Sequence, residues 1–293
     1  MKRLVCVLMV CLLFLAFGAP AAASGLTAAD VRPLVETVSR CVSQADGILE
    51  DVRSIIAWQI EGSKEQLAAY REALRTGEEY ASEDNEQEVI EKAEQLGTAI
   101  ERTAALAAEV NALRASGVAS IDATVAAGKT YFVWIGAALK DLMSIFDFYF
   151  AQSAALEAIN DYDSDKYSDM SDAISDLYYI ISDMGDAMDA IACPPFMQEC
   201  YGRYVRTMRK YLAVLESMYT AVHIEDVLRS ASANYLIGRM GIEIGMREIE
   251  LIELFNLQYE KVRSRLDGDI ATLGTELEGN CATLLAALEG RAS

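Results

Sequence analysis

From Leu34 to Cys193 the chain has no proline, and from Phe196 to Ser293 it has none again. Proline removes a backbone N–H and breaks helix interiors, so stretches this long without it fit helices better than a many-turned β fold. The apolar spacing agrees. Val31, Leu34, Val38, Cys41, Ala45, Ile48, Val52 and Ile55 alternate steps of three and four, the stripe of a helix buried along one seam.

Six segments repeat that pattern. The first opens at Thr27, with Asp30 three residues on as a capping-box partner. It resumes through Ile60, Leu67, Tyr70 and Leu74 to Gly77, with Gly62-Ser63 as a candidate break. The second covers Ser82 to Leu113, striped by Val89, Ala93, Leu96, Ile100, Ala107 and Val110, and Ser116-Gly117 ends it. The third, Val118 to Ile159, keeps the spacing through Ile121, Val125, Phe132, Ile135, Leu139, Leu142, Phe146 and Tyr149, with Gly128 in a gap. The fourth runs from Asp163 to Ala192 and stops at Cys193-Pro194-Pro195. The fifth runs from Tyr201 to about Ile237, where Gly238, Gly241 and Gly245 loosen the chain as a turn or a close helix crossing. The sixth, from about Met246 to Leu288, steps through Phe255, Tyr259, Val262, Leu266, Ile270, Leu273, Leu277, Cys281, Leu284 and Leu288 with an eleven-residue period, which calls for nearly straight packing. The fold expected is all-α: an elongated antiparallel bundle of five to six long helices with coiled-coil-like packing, one domain over 24–293.

The leader sets the compartment. Lys2 and Arg3 precede an apolar run from Leu4 to Phe17, and Ala21-Ala22-Ala23 offers a small-residue cleavage site. Residues 1–23 read as a secretory signal peptide, so the protein is expected in the periplasm or the secreted fraction. Four cysteines then remain, and export favours disulfides. The tight spacing of Cys193 and Cys200 suggests a local bridge, leaving Cys41 with Cys281. If the first and last helices run antiparallel with those two residues opposite, facing positions sum to 322. Thr76 then faces Met246, and the two helix extents match.

Charge and chemistry narrow the function. The chain carries 25 basic and 45 acidic residues, net −20, which argues against a nucleic-acid partner because phosphates need clustered Lys and Arg. One histidine, His223, cannot supply a two-histidine metal site. Glu225 and Asp226 stand near it, but no nucleophile motif accompanies them, so no enzyme is expected. The charge is uneven. Residues 131–200 hold 2 bases against 13 acids, whereas residues 201–293 hold 11 against 13. Within the acidic stretch Asp161, Asp163, Asp165, Asp169 and Asp172 fall at positions 1, 3, 5, 9 and 12 of an EF-hand-like register, a candidate calcium site. Lys166 stands where that loop needs glycine, and Asp172 is shorter than the usual glutamate. Calcium is the one cofactor these residues suggest. An Asp stripe on the fourth helix is expected to meet Arg203, Arg206, Arg209 and Lys210 across the corner, with position numbers summing to about 393: Asp189 with Arg203 or Arg206, Asp186 with Arg206, Asp183 with Lys210.

The function that follows is non-enzymatic: binding or scaffolding of a protein partner in the cell envelope or extracellular space, since long seamed helices present faces suited to partner helices. The sequence does not state an oligomeric state. The alternative is a pore-forming or membrane-acting protein using 131–156, which is apolar nearly all round but holds Lys140, Asp141 and Asp147.

Overall fold

In a computed structural model of the chain, residues 27–77, 86–160, 162–163 and 166–290 are described. They form an all-α protein of helices packed on one another. The helices are α1 (Ala28–Thr76), α2 (Glu86–Asn111), α3 (Ala119–Asn160), α4 (Met170–Asp189), α5 (Gln198–His223) and α6 (Val227–Arg265). A π-helical turn, Leu266–Ile270, leads from α6 into α7 (Ala271–Glu289). Contacts divide the described residues into two compact units. The first takes 27–56, 89–141 and 261–290, and the second takes the remainder.

In the first unit Thr27 caps α1. Its N–H and hydroxyl both donate to Asp30 Oδ2 at 2.7 Å, which satisfies an orphan donor of the first turn. The chain then runs up, down, up and down. Arg40–Glu109 and Arg102–Asp51 (3.7 Å) set α1 against α2 antiparallel. Tyr131 Oη donates to Asp46 at 3.3 Å from α3. Arg265–Asp141 at 2.5 Å ties the end of α6 to α3. Arg32–Glu289 at 3.1 Å and Arg53–Asp267 at 2.8 Å pair α1 with the last helical stretch. Those two pairs sum to 321 and 320, within a residue or two of the expected register. The core between them holds Val38, Cys41, Val42, Leu96, Val110, Ile135 and Cys281, all buried.

Several details differ from the spacing argument. The seam of α2 runs through Ala99, Thr103 and Leu106, not Ile100 and Ala107, because a threonine occupies a core position there. At the neighbouring positions 148 and 149 of α3, Phe148 is buried and Tyr149 is exposed. Helix α1 continues past Gly62-Ser63 without a break, and Ser63 Oγ donates back to the Gln59 carbonyl at 2.7 Å. The predicted start of the second helix, from Ser82, lies outside the described residues. The eleven-residue drift of the last seam is taken up locally. The π turn inserts the extra residue, so that Leu266, Ile270, Gly274, Leu277 and Cys281 stay buried.

In the second unit α4 and α5 form a hairpin. The helix α4 starts at Met170 rather than Asp163, since Asp169 takes extended backbone and accepts from Ser171 N–H at 2.8 Å. At the corner Met197 N–H donates to the Pro194 carbonyl at 2.9 Å, and Tyr201 Oη reaches back to the Met188 carbonyl at 2.8 Å. Phe148, Ile181, Met184, Met188, Tyr201, Tyr204 and Leu251 share its core. The fifth helix ends at His223, not near Ile237. Glu225 takes φ +56°, and Asp226 caps α6 by accepting from Arg229 N–H at 3.0 Å. Gly238, Gly241 and Gly245 therefore lie inside α6. Gly245 is the close crossing, since a Cβ there would meet Leu74 Cδ2 at 3.0 Å.

Candidate functional site

The helix α6 carries a second apolar face on its outside over its first half, and that is the most unusual feature of the molecule. Its inward side sets carboxylates beside the apolar Ala233, Ile237, Ile244 and Leu251. Glu248 accepts from Tyr70 Oη of α1 and from Tyr204 Oη of α5 at 3.1 Å. Glu243 accepts from Thr207 Oγ1 at 3.4 Å and faces Lys210 Nζ at 3.8 Å. Glu250 pairs with Arg247 at 2.6 Å and with Arg203 at 3.3 Å. Its outward side is apolar. Val227, Leu228, Tyr235, Ile242 and Met246 are 78%, 84%, 67%, 55% and 55% exposed, and Leu236 joins them. Soluble helices normally keep their outward side polar, and a contiguous apolar face on the outside marks an interaction surface.

Burial acts on the inward carboxylates. Desolvation raises the Glu248 carboxyl above the usual carboxylate range, and the two tyrosine hydroxyls only partly offset it. The arginines Arg247 and Arg203 hold Glu250 below that range. A raised native pKa means the folded chain binds a proton that the unfolded chain does not. Stability contributed by Glu248 therefore rises as pH falls through its native pKa. We expect the difference in Tm between the native chain and Glu248→Gln to shift in favour of the native chain on going from pH 8 to pH 5. Thermal unfolding followed by circular dichroism checks this, and a difference that stays flat or reverses refutes it.

Among the described residues, those singled out in the sequence fall at several places in the fold. Asp161 and Asp165 lie outside the described residues. Asp169 is the α4 cap, Asp172 lies in that helix's first turn, and Asp163 sits 4.0 Å from Lys166 Nζ. Among the described residues no three Asp, Glu, His or Cys side chains gather in a way that could hold a metal ion. The cysteines Cys41, Cys193, Cys200 and Cys281 are free thiols, so neither predicted bridge is formed. They behave as small core residues. Burial raises all four, Cys193 to about 11 with Cys200 beside it adding to the effect, and Cys281 to about 11. His223 is exposed and lies against Tyr219, with ring centroids 4.1 Å apart and planes tilted by 50°. Ser171 Oγ lies 3.4 and 3.3 Å from its two ring nitrogens, and His223 Nδ1 lies 3.0 Å from the Tyr219 carbonyl.

The Arg cluster does meet the Asp stripe, but one turn later than expected. Arg209 pairs with Asp189 and, at 3.6 Å, with Asp186, while Arg203 and Lys210 turn instead to α6. The corner 190–197 is longer than a symmetric hairpin would need, which shifts the register. In 131–156, Val133 and Trp134 are exposed, and among the described residues no helix is long and apolar enough to cross a membrane. At the π turn a small pocket of about 160 Å³ is lined by Trp134, Arg265, Asp269 and Ile270.

No protein-family model, curated protein or solved structure matches this chain. The class of protein is defined by the fold alone, a helical bundle, and its particular role has to be argued from the outward face of α6. That face escaped the sequence reading because three glycines suggested a turn there. The signal that could have found it was the spacing of Leu228, Tyr235 and Ile242, seven residues apart.

Proposed function

We propose that this chain is an exported, non-enzymatic helical-bundle protein that acts by binding or scaffolding a protein partner in the cell envelope or the secreted fraction. The observation that carries the reading is the outward apolar face of α6, from Leu228 to Met246, which no described segment of the chain covers. A helix face with anchors at i, i+7 and i+14 suits a partner helix laid along it. Export rests on the leader 1–23. A bridge between Cys193 and Cys200 in an oxidising compartment would join two cysteines that pack into one core.

The test is capture from native envelope extract after brief crosslinking, with the native chain and Leu228→Glu/Ile242→Glu compared. A defined protein band, present with the native chain and absent with the variant, is the expected result. Identical capture by both, or none by either, counts against the reading.

A further inference from the structure

The partner suited to this face is a second copy of the chain. We propose that two copies associate through α6 against α6, antiparallel about a two-fold axis. The inference rests on the reading of that face as a protein-binding surface and commits it to one occupant.

The stripe is self-complementary. Leu228, Ser232, Tyr235, Arg239, Ile242 and Met246 step by 4, 3, 4, 3 and 4, and all six are exposed. This is a complete second seam on the side of α6 away from the core residues Ala233 and Leu251. In antiparallel packing each position meets the one that completes a sum of 474. Leu228 then meets Met246 of the second copy, Ser232 meets Ile242, and Tyr235 meets Arg239. The last pair sets a guanidinium over a tyrosine face. Among the described residues Arg239 has no ion pair of its own.

The flanks agree in the same register. Arg229 and Glu243 sum to 472 and lie beside the seam on the edge towards α5, where Glu243 stands near Lys210 yet keeps 37% of its side chain exposed, so opposite charges meet twice by symmetry. Leu236, on the same flank, meets its own copy at the axis. Arg229 reaches only Ser217 Oγ, at 3.4 Å, and makes no ion pair among the described residues. On the other flank Ala231 and Gly238 are small, and a Cβ at Gly238 would meet nothing within 4 Å, so the two helices can come close. A parallel arrangement would instead set Arg239 against Arg239 in the seam and Arg229 and Glu243 against the small flank of the copy, so the guanidiniums would repel and the charge pairing would be lost. Net charge also permits a copy as partner. Residues 224–246 carry 3 acids and 2 bases, net −1, against −20 for the whole chain. The seam spans 18 residue steps, about 27 Å at 1.5 Å per residue.

The experiment is light scattering on the purified full chain across a hundredfold range of concentration, with helicity and Tm recorded for every variant. A mass of two chains is expected for the native protein. Leu228→Glu/Ile242→Glu is expected to give one chain with helicity unchanged. Arg229→Glu is expected to weaken the dimer at least tenfold, and adding Glu243→Arg to restore it. An adventitiously sticky patch would not be rescued by a charge swap. Leu236→Cys supplies a second readout: mild oxidation with diamide should join two copies at that position, because only the antiparallel register brings Leu236 to its own copy. A single chain at all concentrations overturns the proposal, and so does a dimer unaffected by Leu228→Glu/Ile242→Glu. If the single chain still captures an envelope protein through this face, the reading under Proposed function stands and only the second copy is lost. If it captures nothing, both fall.

Discussion

Replacing Phe148 with alanine is expected to cost about 3–5 kcal/mol of folding stability, the range for emptying a large buried aromatic site. Phe148 is 1% exposed. Its ring meets Tyr201 edge-on, centroids 4.9 Å apart at 88°, and lies 5.9 Å from Phe255. It joins α3, α5 and α6 in one cluster, so no single neighbour can close the hole. The next residue is the control. Tyr149 is exposed, and Tyr149→Ala is expected to cost less than about 1 kcal/mol. Urea unfolding of both variants checks the pair. Seam counting puts Tyr149 in the core, and the structure puts Phe148 there. The larger loss therefore decides which face of α3 is packed, and a larger loss from Tyr149→Ala would contradict the packing described here.

The reason that count slips is physical, and it recurs. A heptad count assumes one seam per helix. Over 142–148 Leu142, Ile145, Phe146 and Phe148 are all buried, so more than one side of α3 is packed there. The antiparallel register of α1 with the last helical stretch was legible, since it depends only on where two long apolar stripes begin and end. Arg32–Glu289 and Arg53–Asp267 fall within two residues of it. The α5–α6 corner was not legible. It contains neither glycine nor proline, and its turn is made by Glu225 at positive φ with Asp226 as a cap. The three glycines that looked like the turn lie instead along α6, where Gly245 admits Leu74. Once the corner was misplaced, the outer stripe of α6 was split between two segments and could not be seen as a seam. Asp169 has two readings for a related reason: it is spaced like a calcium ligand, and a helix N-terminus demands the same residue type for capping.

Gly128 offers the sharper test of how the first unit is closed. A Cβ at this position would stand 3.2 Å from Val38 Cγ1 of α1 and 3.4 Å from Val110 Cγ1 of α2. Three helices therefore meet at a point where one of them has no side chain. Gly128→Ala adds about 1 kcal/mol of helix propensity and loses a similar amount to crowding, so its net effect is expected within about 1 kcal/mol of zero. Gly128→Leu adds three further carbons where the two valines already stand, and is expected to cost about 3 kcal/mol through forced rotamers and separation of the helices. The cause is separable from a loss of helix-forming tendency, since leucine forms helices better than glycine. A double-mutant cycle with Val38→Ala settles it. Val38→Ala alone opens a hole and destabilises. Combined with Gly128→Leu it gives the new side chain room, so the pair should cost at least about 1 kcal/mol less than the sum of the single changes. Strict additivity would mean that the leucine finds space elsewhere and that α1, α2 and α3 do not converge on Gly128.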